Sequence, residues 1–185
     1  MIELPPYARV IRALPRGEHP YLALLPLVRE SPAARSIASC AISLDQLLDR
    51  ARVRIEPGDG YIWVDDEAPA IVLVEKYYLE GSCLDLYLDL LHELTHLRQL
   101  VEGLELWDDD FRYVNRPTEI EGYAVAVEEG CRLGMTESEI LQHLSNPWMS
   151  RPEVALLYEN ITRFLATGRM KPYFSDRTGS TSKNG

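Results

Sequence analysis

The run Leu90-Leu91-His92-Glu93-Leu94-Thr95-His96-Leu97 constrains this chain more than any other stretch. It contains an H-E-x-x-H pattern. Side chains four residues apart on a helix share one face, one turn from each other. Both imidazoles can then reach a single metal ion, with Glu93 beside them to handle a proton. On a solvated helix the same letters would be two ordinary histidines, so the surroundings decide. From Ser82 to Glu102 there is no Pro or Gly, and Leu84, Leu88, Leu91, Thr95, Leu97 and Leu100 line an apolar side at helical spacing. Ser82 followed by Asp85 is a start resembling a capping box, and Gly103 is a stop. The spacing therefore predicts a helix over 82–102 with the motif near its middle, where a metal site needs it.

The rest of the chain reads as scaffold for that helix. A length of 185 residues fits one domain with small appendages, and an apolar share of 46% suffices for a core. The formal charge of −10 repels phosphate and argues against a nucleic-acid partner. No window has the pattern of a signal peptide, and no apolar run is long enough to span a bilayer, so no membrane role is expected. Cys40, Cys83 and Cys131 are odd in number and form no C-x-x-C pair. They are expected to be buried free thiols, in a protein of the reducing cytoplasm.

The first fifty residues lean helical but are broken by Pro5, Pro6, Pro15, Pro20, Pro26 and Pro32. They are expected to form a separate segment, 1–50, ahead of a core spanning 51–166. Ser43 caps a helix beginning at Leu44. Arg52–Ile55, Tyr61–Val64 and Ala70–Val74, the last extended towards Tyr78, read as three strands of a small β-meander leading into the motif helix. Pro57-Gly58-Asp59-Gly60 and the acidic run from Asp65 to Pro69 supply the turns. After Gly103 comes a loop whose Asp108-Asp109-Asp110 lacks the alternating ligands of a calcium loop and reads as a solvated acidic turn. Further helices are predicted over 118–134, capped by Thr118 behind Pro117, over 136–144, opened by a Thr136/Glu139 capping box, and over 152–165. The polar residues 167–185 are expected to be a disordered tail. The fold class is α+β.

A catalytic zinc keeps three protein ligands and one open position, so two histidines leave one ligand to find. Glu119 and Glu121 are the downstream candidates. Two residues apart on a helix, they point about 200° from each other. Ile120, Tyr123, Ala124, Val127 and Cys131 form the apolar arc, with Glu119 at its margin and Glu121 on the polar side. Facing makes Glu119 the inward carboxylate and Glu121 a solvated one. Alternatively, both are ordinary first-turn carboxylates favoured by the helix dipole.

The H-E-x-x-H helix followed by Glu119-Ile120-Glu121-Gly122 on a second helix resembles the gluzincin metallopeptidases, and the compact spacing resembles the minimal bacterial gluzincins. The resemblance spans Ile55 to Gly134. It implies a zincin-like fold: a short mixed sheet, the active-site helix and a glutamate helix. It implies zinc on His92, His96 and Glu119, with Glu93 as the general base. The chain departs from the family at Arg98, where the longer pattern has an apolar residue, and at Tyr123, where the small bacterial forms have Asp or Asn. Asp89, one turn before His92, is the nearest substitute for the missing carboxylate that would orient a ligand histidine.

Zinc lowers the pKa of a bound water and polarises a carbonyl, and Glu93 can take the water's proton and deliver it to the leaving amine. Tyr113, His143 and Tyr158 are candidate donors to the oxyanion. An edge strand, with Ala70–Val74 as the candidate, would accept an extended peptide. The N-terminal fifty residues could cover the cleft. Three expectations compete. The first is a zinc metallopeptidase acting on an intracellular protein or peptide. The second is a metal-stabilised regulatory or interaction domain without turnover. The third is a metal-free interaction domain. The substrate and the oligomeric state are not written in the sequence.

Overall fold

The computed structural model describes residues 2–167. The expected tail therefore lies, apart from Thr167, outside the described residues. The protein is a mixed α+β fold with a four-stranded sheet and a set of helices. The strands are β1 (Gly17–Pro20), β2 (Arg52–Glu56), β3 (Ile62–Asp65) and β4 (Ala70–Val74). They lie in the order β1-β2-β4-β3. β1 runs antiparallel to β2, β2 parallel to β4, and β3 antiparallel to β4. The expected meander is thus corrected: the chain leaves β2, forms β3 on the far edge, and returns as β4 between them.

The reason lies in β4 itself. All five residues of Ala70-Ile71-Val72-Leu73-Val74 are buried. A strand apolar at every position needs cover on both faces and takes an interior place. β4 is consequently not the edge strand; β1 and β3 are. Nor does β4 run on to Tyr78, because a short helix α4 (Glu75–Glu80) follows directly. β1 was not expected at all.

The N-terminal segment supplies α1 (Tyr21–Leu24), α2 (Pro32–Ile37) and α3 (Leu44–Arg50). Ser43 and Gln46 close a full capping box on α3. Ala8, Tyr21, Leu24, Leu25, Val28 and Ile37 share one core cluster with Val53, Ile71, Leu73 and the motif helix. The Tyr21 hydroxyl donates to the Leu90 carbonyl at 3.0 Å. Cys40, Cys83 and Cys131 are free, as expected, but exposed rather than buried.

α5 (Cys83–Val101) is the central helix, and every residue from Leu90 to Gln99 is buried. Packing on all sides leaves it no solvated face along this stretch. The Ser82 hydroxyl accepts from the Asp85 amide at 3.3 Å to cap its start. At its end Gly103 takes the left-handed conformation, φ 75°, which glycine adopts without a Cβ clash. α6 (Pro117–Arg132) starts with Pro117 in its first turn and Arg116 at the cap position. Thr118 is therefore inside the helix, not its cap, and its hydroxyl donates to the Leu106 carbonyl at 3.1 Å. α7 (Glu137–His143) carries the expected Thr136/Glu139 box, and α8 (Arg151–Thr167) closes a second core cluster with α6 around Ile120, Val127, Leu157 and Ile161. No helix among the described residues is long and apolar enough to cross a membrane.

Candidate metal centre

α5 and α6 pack side by side, and the contact brings three side chains to one point. His92 and His96 come from successive turns of α5, and Glu119 from the first turn of α6. All three are buried. Glu119 Oε2 lies 3.4 Å from His92 Nε2 and 3.7 Å from His96 Nε2. One donor atom from each residue falls within 4.8 Å of the others. Tetrahedral zinc with ligands near 2.0–2.1 Å has ligand–ligand edges of about 3.3 Å, so the donor types suit the ion and the two nitrogen–oxygen separations are close to such an edge. The helical facing that selected Glu119 holds, since α6 begins before it.

Glu121 is not solvated as expected. It is half-buried and accepts from Arg98 Nη2 at 2.6 Å and from Gln99 Nε2 at 2.7 Å. Arg98 is itself buried, between Glu121 and Glu102. The residue that departs from the apolar pattern is thus paired with two carboxylates, which offset part of the cost of burying its charge, while its Nε is buried without a partner.

The two histidines are held differently. His96 Nδ1 is 2.7 Å from Gln99 Oε1. His92 Nδ1 is buried without a hydrogen-bond partner. The ring of His92 instead packs against α6: the Tyr123 ring lies beside it with centroids 4.2 Å apart, and a Cβ on Gly122 would come within 3.0 Å of its Cε1 and Nδ1. Asp89 does not substitute as its orienting carboxylate. It is half-buried, accepts from the Tyr77 hydroxyl and lies 3.6 Å from His143 Nε2.

Burial, aided by the charge of His96, pushes His92 down to about 4. Burial also works against a charged His96, but the hydrogen bond and charge of Glu119 outweigh it and raise His96 to about 9. The two rings share one carboxylate, and the proton belongs on His96, whose other nitrogen has Gln99 as acceptor. Glu119 would be raised by burial, yet the two imidazoles hold it well below the usual carboxylate range. Burial raises Glu93 to about 8, with the charges of Glu119 and Asp89 adding to the push.

The triad forms part of the floor of a cleft of about 560 Å³, also lined by Glu93. Tyr61, Ile62 and Trp63, from edge strand β3 and the residue before it, form part of one wall, and Trp107, Tyr113 and the 145–148 loop contribute others. Of the three candidate oxyanion donors, Tyr113 and His143 line the cleft and Tyr158 does not. The Tyr113 and Tyr123 hydroxyls are 2.8 Å apart. His143 Nδ1 lies 2.9 Å from Asp85 Oδ1, and its Nε2 is buried without a hydrogen-bond partner. Burial opposes a charge on His143, but Asp85 and Asp89 raise its pKa overall. Among the described residues, none before Tyr61 lines the cleft, so residues 2–50 do not cover it. Gln99 and Tyr123 were not anticipated as supports of the histidines. Gln99, three residues after His96 and on the same helix face, was the more readable of the two.

No protein-family model matches this sequence, and no curated protein or solved structure matches it.

Proposed function

We propose that the protein is a zinc-dependent, zincin-like metallopeptidase that cuts a peptide bond in a protein or peptide. The observation that carries this reading is the buried His92–His96–Glu119 set opening onto a cleft with a buried, unpaired carboxylate, Glu93, beside it. When bound, zinc supplies a Lewis acid for a carbonyl and lowers the pKa of a water. The protein's own groups supply the rest. Glu93 accepts a proton from the attacking water and passes it to the leaving amine. Burial raises its pKa, and a carboxyl group shifted towards neutrality can both accept and deliver a proton. His143, oriented by Asp85 through Nδ1, presents Nε2 as a donor to the negative charge developing on the substrate oxygen, with the Tyr113 hydroxyl as a second donor. β3 is the sheet edge beside the cleft and is placed to align an extended substrate. Among the described residues the cleft lining includes Asp85, Asp89 and Glu139 but no Lys or Arg, which favours neutral or basic segments over acidic ones. A cytoplasmic location fits this reading.

The test is to incubate zinc-loaded protein with an unfolded protein such as denatured casein and follow new peptides by mass spectrometry. Cleavage should stop with chelator and return with zinc. Glu93→Gln should keep the metal and lose about 10²–10⁴-fold in rate. Equal turnover by Glu93→Gln would remove Glu93 as the base. A zinc-loaded protein that cuts no peptide would favour a metal-stabilised domain without turnover.

A further inference from the structure

We propose that Gln99, held in place by Glu121 and Arg98, is the positioning residue of this metal centre. It would set the tautomer and ring orientation of His96 and tie that histidine to the helix carrying Glu119. The inference rests on the reading that the triad holds zinc.

The hydrogen bonds fix the orientation of the Gln99 side chain. Gln99 is fully buried. One end of its amide meets the Thr118 carbonyl at 3.1 Å and Glu121 Oε2 at 2.7 Å. A carbonyl and a carboxylate can only accept, so this end must be the NH2 group. The oxygen is therefore left for His96 Nδ1, 2.7 Å away. An amide oxygen cannot donate, so Nδ1 must carry the hydrogen. In a neutral ring the lone pair then sits on Nε2, the atom facing Glu119 and His92. Gln99 thus holds His96 in the form a metal requires.

Two further contacts anchor the amide. Glu121 is pinned by Arg98 Nη2 at 2.6 Å, so the carboxylate that orients Gln99 is itself fixed. Thr118 immediately precedes Glu119, so the bond to its carbonyl also sets the first turn of α6 relative to α5. One side chain therefore couples a ligand from each helix. His92 has no such partner at Nδ1, which is buried and unpaired, and its ring packs against Tyr123 and Gly122. Of the two histidines, only His96 has a hydrogen-bond partner at Nδ1 among the described residues. Arg98 and Glu121, one departing from the apolar pattern and the other expected in solvent, gain a shared role.

The experiment compares zinc affinity, by competition with a chromophoric chelator, and the visible spectrum of the cobalt(II) form in parent, Gln99→Met, Glu121→Ala and Glu121→Gln. Circular dichroism melting of each metal-free protein controls for folding. Gln99→Met, which cannot donate and is only a weak acceptor, should lose zinc affinity by about 10–100-fold and alter the cobalt bands. Glu121→Ala should move both readouts the same way but less. Glu121→Gln, which still offers an acceptor to the amide, should stay within a few-fold of the parent. Glu121 is half-exposed, so Glu121→Ala decides the matter if Gln99→Met does not fold. A folded Glu121→Ala with the parent's affinity and cobalt spectrum would overturn the proposal while leaving the metal centre intact. A parent protein that binds no zinc would overturn both.

Discussion

At the scale of single residues, the metal-free site is a proton store. His96 carries a proton up to about pH 9 because Glu119 stabilises the imidazolium more than burial opposes it. A metal ion needs the neutral ring, so below that pH each ion bound must release this proton. The sign follows: apparent zinc affinity should rise about tenfold per pH unit up to about pH 9 and level off above it. Isothermal titration at pH 7 in buffers of different ionisation enthalpy should report close to one proton released per zinc. A result of zero would place the proton elsewhere. Some of this residue chemistry was readable beforehand. The choice of Glu119 over Glu121 followed from a 100° helical step and needed only α6 to begin early enough. The fate of Glu121 was not readable, because its partners Arg98 and Gln99 lie on another helix, and facing within one helix says nothing of what packs beside it. The exposure of the three cysteines was hidden for the same reason.

Among the elements, the contact between α5 and α6 matters most, and Gly122 allows it. With no Cβ at Gly122, α6 lets the His92 ring come close to its backbone, and the Tyr123 ring packs against His92 as well. Gly122→Ala should raise intrinsic helix stability by up to about 1 kcal/mol. The added methyl would meet the buried ring at 3.0 Å, so the ring or the helix must give way. The expected outcome is weaker zinc binding, with the gain in helix propensity opposed by overpacking against the buried ring. Unchanged zinc affinity would show that His92 can shift at no cost. The helices were the legible elements, because apolar periodicity and capping residues are local signals. The sheet was less so. Three strand segments were found, but their order depends on a parallel β2–β4 pairing across an intervening strand, which no local pattern encodes. The five apolar residues of β4 did hint at an interior place. β1 escaped because it is short and ends in Pro20, a residue tolerated only at a sheet's edge.

Across the whole molecule, the N-terminal segment, the sheet and the motif helix share one core cluster, and α6 to α8 form a second around the glutamate helix. The candidate centre joins α5, which belongs to the first, to α6, which lies mainly in the second. Metal binding should therefore stabilise their union. At free zinc a hundredfold above the dissociation constant, linkage contributes about 2.7 kcal/mol. For a chain of this size that is a rise in melting temperature of about 5–11 °C, reversed by chelator. A melting curve indifferent to zinc would mean the ion binds folded and unfolded chains alike, or not at all. The central claim is that His92, His96 and Glu119 together hold one zinc. X-ray absorption at the zinc edge, on parent and Glu119→Ala proteins of measured metal content, tests it most directly. The account predicts one zinc per parent chain, bound by two imidazoles and oxygen at about 2.0–2.1 Å, and a Glu119→Ala protein whose zinc affinity has fallen by orders of magnitude. A zinc-supplied parent that holds no zinc, or a Glu119→Ala protein with unchanged affinity and the same spectrum, would contradict it.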